Sequence, residues 1–97
     1  MRIINLPNGE SFRTSSDVAG EFIEKIVSFG DEVTLSDLNE LDADTKEIVD
    51  QFIEWNDVCA DKESGYLYLK KKLENTWKMS GDDMTFDEFI EEFYTEL

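Results

Sequence analysis

Five carboxylates, Glu47, Asp50, Glu54, Asp57 and Asp61, recur at spacings of three, four, three and four. On an α-helix that spacing places all five within roughly 80° of arc, on one face. The row would be about 21 Å long at 1.5 Å per residue. Its chemistry is electrostatic: regularly stepped anions that receive lysine and arginine side chains. A second set, Asp87, Glu88, Glu91, Glu92 and Glu96, follows the same rule near the other end of the chain, and Asp17, Glu21 and Glu24 form a third. Like charges at these spacings weaken a helix by a few tenths of a kcal/mol per pair. Alternating Glu and Lys is the ordinary remedy. Here Lys46 and Lys62 stand only at the ends of the first row.

Covalent and metal chemistry find little to work with. Histidine is absent, which removes the commonest general base and the commonest metal ligand. Cys59 is the single cysteine, so neither an internal disulfide nor a cysteine-rich metal site can form. Its spacing places it in the core, without a base partner. Asp42-Ala43-Asp44 opens like a calcium loop, but Glu47 stands where the glycine of such a loop belongs. Gly81 to Phe89 has the look of the second half of another. Counting back from Glu88 puts Trp77 and Met79 at ligand positions, and neither binds calcium. Asp82-Asp83 is a carboxylate pair with no cleft implied around it, placed to favour the N-terminus of a following helix. The sequence therefore predicts no catalytic residue, no metal ligand and no cofactor: a binding protein rather than an enzyme.

The elements that must position the acidic rows read as follows. Arg2 to Leu6 and Glu10 to Thr14 form a β-hairpin across a Pro7-Asn8-Gly9 turn. Ser15-Ser16 caps a helix over 17–29, with Val18, Phe22, Ile23, Ile26, Val27 and Phe29 inward and Gly30 as its stop. Thr34 to Asp37 has capping-box form and opens a short helical turn toward Leu41. The longest helix runs from Asp42 or Asp44 to Asp61, burying Ile48, Val49, Phe52, Trp55 and Cys59. Ser64-Gly65 breaks it. A helix over 66–79 buries Tyr66, Leu69, Leu73 and Trp77, and leaves Tyr68 off the apolar stripe, available to anchor a contact. After Ser80-Gly81, Thr85 and Glu88 form a capping box for a last helix with Phe86, Phe89, Ile90, Phe93 and Leu97 on one face. The expected fold class is α+β: an N-terminal β-hairpin packed on a bundle of four to five amphipathic helices, one acidic globular domain over 1–97.

Charge is the strongest compositional signal. Twenty-four acids against nine bases give −15 at neutral pH, well beyond the roughly 2–8 that keeps a small domain soluble. Self-repulsion at that level opposes compaction, while 40% hydrophobic residues suffice for a core. The charge is uneven. Residues 17–63 hold 15 acids and 3 bases, residues 81–97 hold 7 acids and no base, and the one basic run is Lys70-Lys71-Lys72. That run is expected to pair with the chain's own acids or with a second copy. A homodimer is also open to the hairpin through its edge. No apolar stretch has the length of a membrane span or the form of a secretory signal, so a cytoplasmic setting is expected.

Carboxylates at ~5–6 Å steps along a helix approximate a phosphate backbone, which carries one charge per about 3.4 Å of axis per strand. With the rows at Glu47/Asp50/Glu54/Asp57/Asp61 and Asp87–Glu96, the chain resembles the small phage-encoded DNA-mimic inhibitors. These short, very acidic, cysteine-poor proteins occupy the DNA-binding surface of a host protein. Their targets include restriction enzymes, CRISPR nucleases, uracil-DNA glycosylase and the nucleoid protein HU. The resemblance is one of charge, size and layout over most of the chain, not of an aligned motif. It implies a basic DNA-binding host protein as partner, met in the host cytoplasm, with no direct contact to nucleic acid. An HU-type protein, which binds DNA by backbone and bending, is the first candidate. The rival expectation is an acidic adaptor or regulator that binds a host protein, such as RNA polymerase or a protease chaperone, away from any DNA site.

Overall fold

In the computed structural model, which describes residues 1–97 except Asn8, Phe29, Gly30 and Asp82, the chain opens with the expected hairpin. Strands β1 (Arg2–Asn5) and β2 (Ser11–Thr14) pair antiparallel, with Ile4 opposite Phe12. Alternation turns Ile4, Phe12 and Thr14 inward. The centre of the turn, Asn8, lies outside the described residues; Gly9 beside it has φ 87°.

Helix α1 (Asp17–Ser28) starts where Ser16 Oγ accepts the Ala19 amide at 3.2 Å. Phe22, Ile23, Ile26 and Val27 are buried as expected, whereas Val18 is 59% exposed because it sits in the first turn, off the stripe. The predicted stop at Phe29-Gly30 falls outside the described residues. Gly20 lies directly under Arg2: a Cβ there would come within 2.5 Å of Arg2 Cδ. That close approach lets the Arg2 stem cross the helix and its guanidinium reach Glu24 at 2.7 Å, tying the hairpin to α1.

Helix α2 (Leu35–Glu40) carries the full capping box: Thr34 Oγ1 accepts the Asp37 amide and Asp37 accepts the Thr34 amide. Helix α3 spans Ala43–Trp55. It ends six residues before the predicted Asp61. Asn56 takes an extended conformation, and both its amide and its side-chain Nδ2 donate to the Phe52 carbonyl. The chain then runs as strand β3 (Val58–Asp61), turns, and returns as β4 (Leu67–Leu69). Asp61 N–H donates to Tyr66 O at 2.9 Å and Gly65 N–H to Asp61 O at 2.8 Å. Gly65 takes φ 77°, a left-handed conformation that glycine adopts without strain.

The predicted helices across 56–61 and 66–69 are therefore a β-hairpin. Val58, Cys59 and Ala60 are all buried, as expected of a central strand covered on both faces. A short, wholly apolar run carries no periodicity that separates such a strand from a helix. Helix α4 (Lys70–Ser80) follows β4 and stops at Gly81, φ 70°. Helix α5 (Phe86–Phe93) starts where Thr85 Oγ1 accepts the Glu88 amide. It ends sooner than expected, because Tyr94–Glu96 forms strand β5 against β3, with Thr95 opposite Ala60. Buried backbone groups on the second edge of β3 require partners, and β5 supplies them.

The sheet order is β4-β3-β5. Strand alternation divides the interior into two clusters. Val58, Ala60, Leu67 and Leu69 face the larger one, with Ile23, Ile26, Val49, Phe52, Ile4 and Phe12 from α1, α3 and the hairpin. Cys59 faces the smaller one, with Leu73, Phe89 and Ile90, and with Tyr68, Trp77, Met84, Phe86 and Tyr94 packed around them. The architecture is α+β: a three-stranded sheet with α1, α3 and the hairpin on one face and α4 and α5 on the other. Among the described residues, no helix is long and apolar enough to cross a membrane.

Candidate functional site

No described Asp or Glu is buried; the buried polar residues are Thr14 and Thr45. Carboxylates left in water avoid the desolvation cost of charge, so the amphipathic faces push the whole acidic surplus outward. The fold cuts short the first of the three rows expected from the spacing, Glu47 to Asp61. It makes two patches, on opposite layers.

The first patch lies along α3. Glu47, Asp50 and Glu54 share one side of the helix with Lys46 and Gln51, around a shallow depression. Glu47 and Glu54 are seven positions apart, or about 10 Å at 1.5 Å per residue. Lys46 Nζ lies 3.0 Å from Asp50 Oδ2, which neutralises the middle of the row. Asp57 follows beyond the helix end, exposed. The predicted five-residue row is thus cut, because the chain leaves the helix at Asn56 and the helical register no longer carries Asp57 and Asp61.

The second patch gathers around Lys62 where the β3–β4 turn meets α5 and β5. Asp87, Glu91 and Glu96 line a groove of about 430 Å³ with Lys62, Lys70 and Tyr94. Asp61, Glu63 and Glu92 line an adjoining one with Lys62 and Phe93. Glu88 is exposed on α5, one turn before Glu92. Glu96 is on strand β5 rather than on a helix, and Lys70 Nζ holds it at 2.7 Å. That hydrogen bond raises the Lys70 pKa. Lys62 Nζ donates to the Glu91 carbonyl, so its ammonium is anchored among the acids. Sequence spacing missed Glu63, which only the β-turn brings beside Glu92.

Asp61 has a structural task as well. Its Oδ1 accepts the amides of Glu63 at 2.8 Å and Ser64 at 2.9 Å, and these bonds, Ser64 first, hold its pKa below the ordinary carboxylate value. A carboxylate stabilised in the folded state contributes in full above its unfolded pKa, near 4, and loses that contribution as pH falls through the lower folded value. Asp61→Ala is expected to lower stability at pH 7 by about 1 kcal/mol. The difference from wild type in urea midpoint should shrink as pH is brought below about 3. An Ala variant as stable as wild type at pH 7 would remove this role.

Three aromatic side chains depart from expectation, among them Phe93, expected on the apolar face of the last helix and 44% exposed. Trp55, expected in the core, is 73% exposed: it is the last residue of α3, and its ring meets Phe12 edge-on. Tyr68, expected at the surface, packs edge-on to Tyr94 at 5.9 Å and donates its hydroxyl to Asp31. Burial, then that bond, raises its pKa. Burial pushes the Cys59 thiol up to about 11, which keeps it protonated at neutral pH and a poor nucleophile. Among the described residues, no group of three or more Cys, Asp or Glu could hold a metal ion. Compared with known proteins, the chain matches no family model, no curated protein and no solved structure.

Proposed function

We propose that this protein is a DNA-mimic inhibitor that occupies the DNA-binding surface of a basic host protein, an HU-type nucleoid protein being the first candidate. One observation carries the reading: every described carboxylate is at the surface, with 24 acids facing at most nine bases. Five ion pairs, Arg2–Glu24, Lys25–Glu21, Lys46–Asp50, Lys70–Glu96 and Lys78–Glu74, already use most of the available cations internally. Of the first patch, Glu47, Glu54 and Asp57 are left for a partner's Lys and Arg; of the second, Asp87, Glu88, Glu91 and Glu92. Lysines and arginines placed for phosphates meet carboxylates in comparable places, and association between such surfaces is fast, steered and salt-sensitive.

A second reading, an acidic adaptor that binds a host protein such as RNA polymerase or a protease chaperone away from any DNA site, draws on the division of the acids between opposite layers. Two short patches serve an adaptor as well as they serve a mimic. Displacement separates the two. Added to purified HU-type protein on labelled duplex DNA, the chain is expected to release the DNA, with an affinity that falls steeply between roughly 50 and 200 mM salt. A complex that keeps its DNA while the chain is bound would overturn the mimic reading, and so would a chain that does not bind at all.

A further inference from the structure

Trp55 is the largest exposed apolar side chain of the protein, yet it is held in place. Its ring meets Phe12 edge-on at 6.0 Å, and Phe12 meets the fully buried Phe52 edge-on at 5.4 Å. One side of the indole is thus braced through Phe12 against the larger core, while the rest faces solvent. Beside it lies a groove of about 200 Å³, with Leu6, Pro7 and Leu69 as apolar lining and Asp57 and Lys71 as its charged members. That volume is below the roughly 300–1,000 Å³ of small-molecule sites and suits a single long side chain. Among the described residues Asp57 is exposed and has no ion-pair partner.

We infer that the Trp55 groove is the anchor point for an arginine of the basic partner, with the guanidinium on the indole and its donors toward Asp57. This rests on the proposed function and specifies which patch meets the partner. Charge complementarity selects the occupant. A cation over an indole face is attracted by the ring, and a nearby unpaired carboxylate adds charge-assisted hydrogen bonds. Arginine fits better than lysine, because its planar fork stacks and pairs at once. Lys71 disfavours any cation, so a partner docks with the α3 side toward it, where the carboxylates outnumber the bases. A second copy of this chain is a poor occupant, since two molecules of charge −15 repel. An exposed, rigid aromatic near charged groups is also the residue type that dominates binding energy at protein interfaces.

The test uses labelled octa-arginine and octa-lysine peptides, titrated by anisotropy into the full chain and into Trp55→Leu and Trp55→Tyr. Wild type is expected to prefer octa-arginine by roughly three- to thirtyfold. Trp55→Leu should bring that ratio close to one while leaving octa-lysine affinity unchanged, and Trp55→Tyr should retain most of it. If both peptides bind with salt-sensitive affinity but Trp55→Leu leaves the ratio intact, the groove assignment fails and the acidic-binder reading stands. If neither peptide binds, both fail. A wild-type chain that sediments as a dimer while Trp55→Leu does not would assign the groove to a second copy and overturn the inference.

Discussion

A chain carrying Glu47→Lys, Glu54→Lys and Asp57→Lys is expected to lose its basic partner by a factor on the order of 10³ in affinity, with its fold intact. Each reversal moves the charge by two, so the triple variant falls from −15 to −9. The proper comparison is a second triple, Asp87→Lys, Glu88→Lys and Glu91→Lys, which alters the total equally but on the opposite layer. If only the long-range field mattered, both variants would lose the same affinity, chiefly through slower association. If the α3 side is the contact surface, the first triple loses far more, because each reversal replaces an attraction at close range by a repulsion worth several kcal/mol in sum. Asp50 is left unaltered because Lys46 already pairs with it, and Asp61 because its carboxylate holds the β3–β4 turn. Circular dichroism should show both triples folded: these side chains are exposed, and surface substitutions ordinarily change stability little. Equal losses from the two triples would reject α3 as the contact side, and unchanged affinity in both would reject the charge-based account as a whole.

The second large effect concerns the fold itself. Phe52→Ala is expected to cost about 3–5 kcal/mol. The side chain is fully buried in the larger cluster, and its loss would also remove the aromatic contact that supports Phe12 and, through it, Trp55. For a domain near a hundred residues that is a fall in melting temperature on the order of 20 °C, a large share of the roughly 5–15 kcal/mol that such domains possess. Phe89→Ala removes a ring from the smaller cluster, on the other face of the sheet. There the loss should be partly local, a loosening of α4 and α5 over a sheet that stays formed. Cys59 reports the difference. Its thiol faces the smaller cluster, and burial holds it protonated at neutral pH, so it should resist a thiol reagent in wild type and be labelled many-fold faster in Phe89→Ala under conditions where circular dichroism is still native. Labelling of wild type at the rate of a free cysteine would contradict the two-cluster interior. Equal global destabilisation by both variants would show that the layers unfold as one unit.

Much of the local structure was legible in the residues alone. The hairpin, the start of α1 at Ser16, the capping box of α2, the breaks at Gly65 and Gly81, and the start of α5 at Thr85 all follow from short-range rules. Those rules involve side chains and amides within four residues of one another, so no distant partner alters them. The α+β class and the outward placement of the acids follow from the same kind of reasoning, because a charge left in water needs no tertiary partner. What tertiary structure decided was the state of Val58–Asp61, Leu67–Leu69 and Tyr94–Glu96. These runs are short and their apolar residues nearly continuous, so helix and strand explain the pattern equally well. Pairing among three segments, with partners as much as 37 positions apart (Cys59 and Glu96), settles the matter, by satisfying backbone groups that would otherwise be buried without partners. Once the chain leaves the helix at Asn56 and is strand at Val58–Asp61, helical spacing ceases to align its carboxylates. The first predicted row loses Asp61 to the patch that the second row forms on the opposite layer, and Trp55 is left exposed at the end of α3.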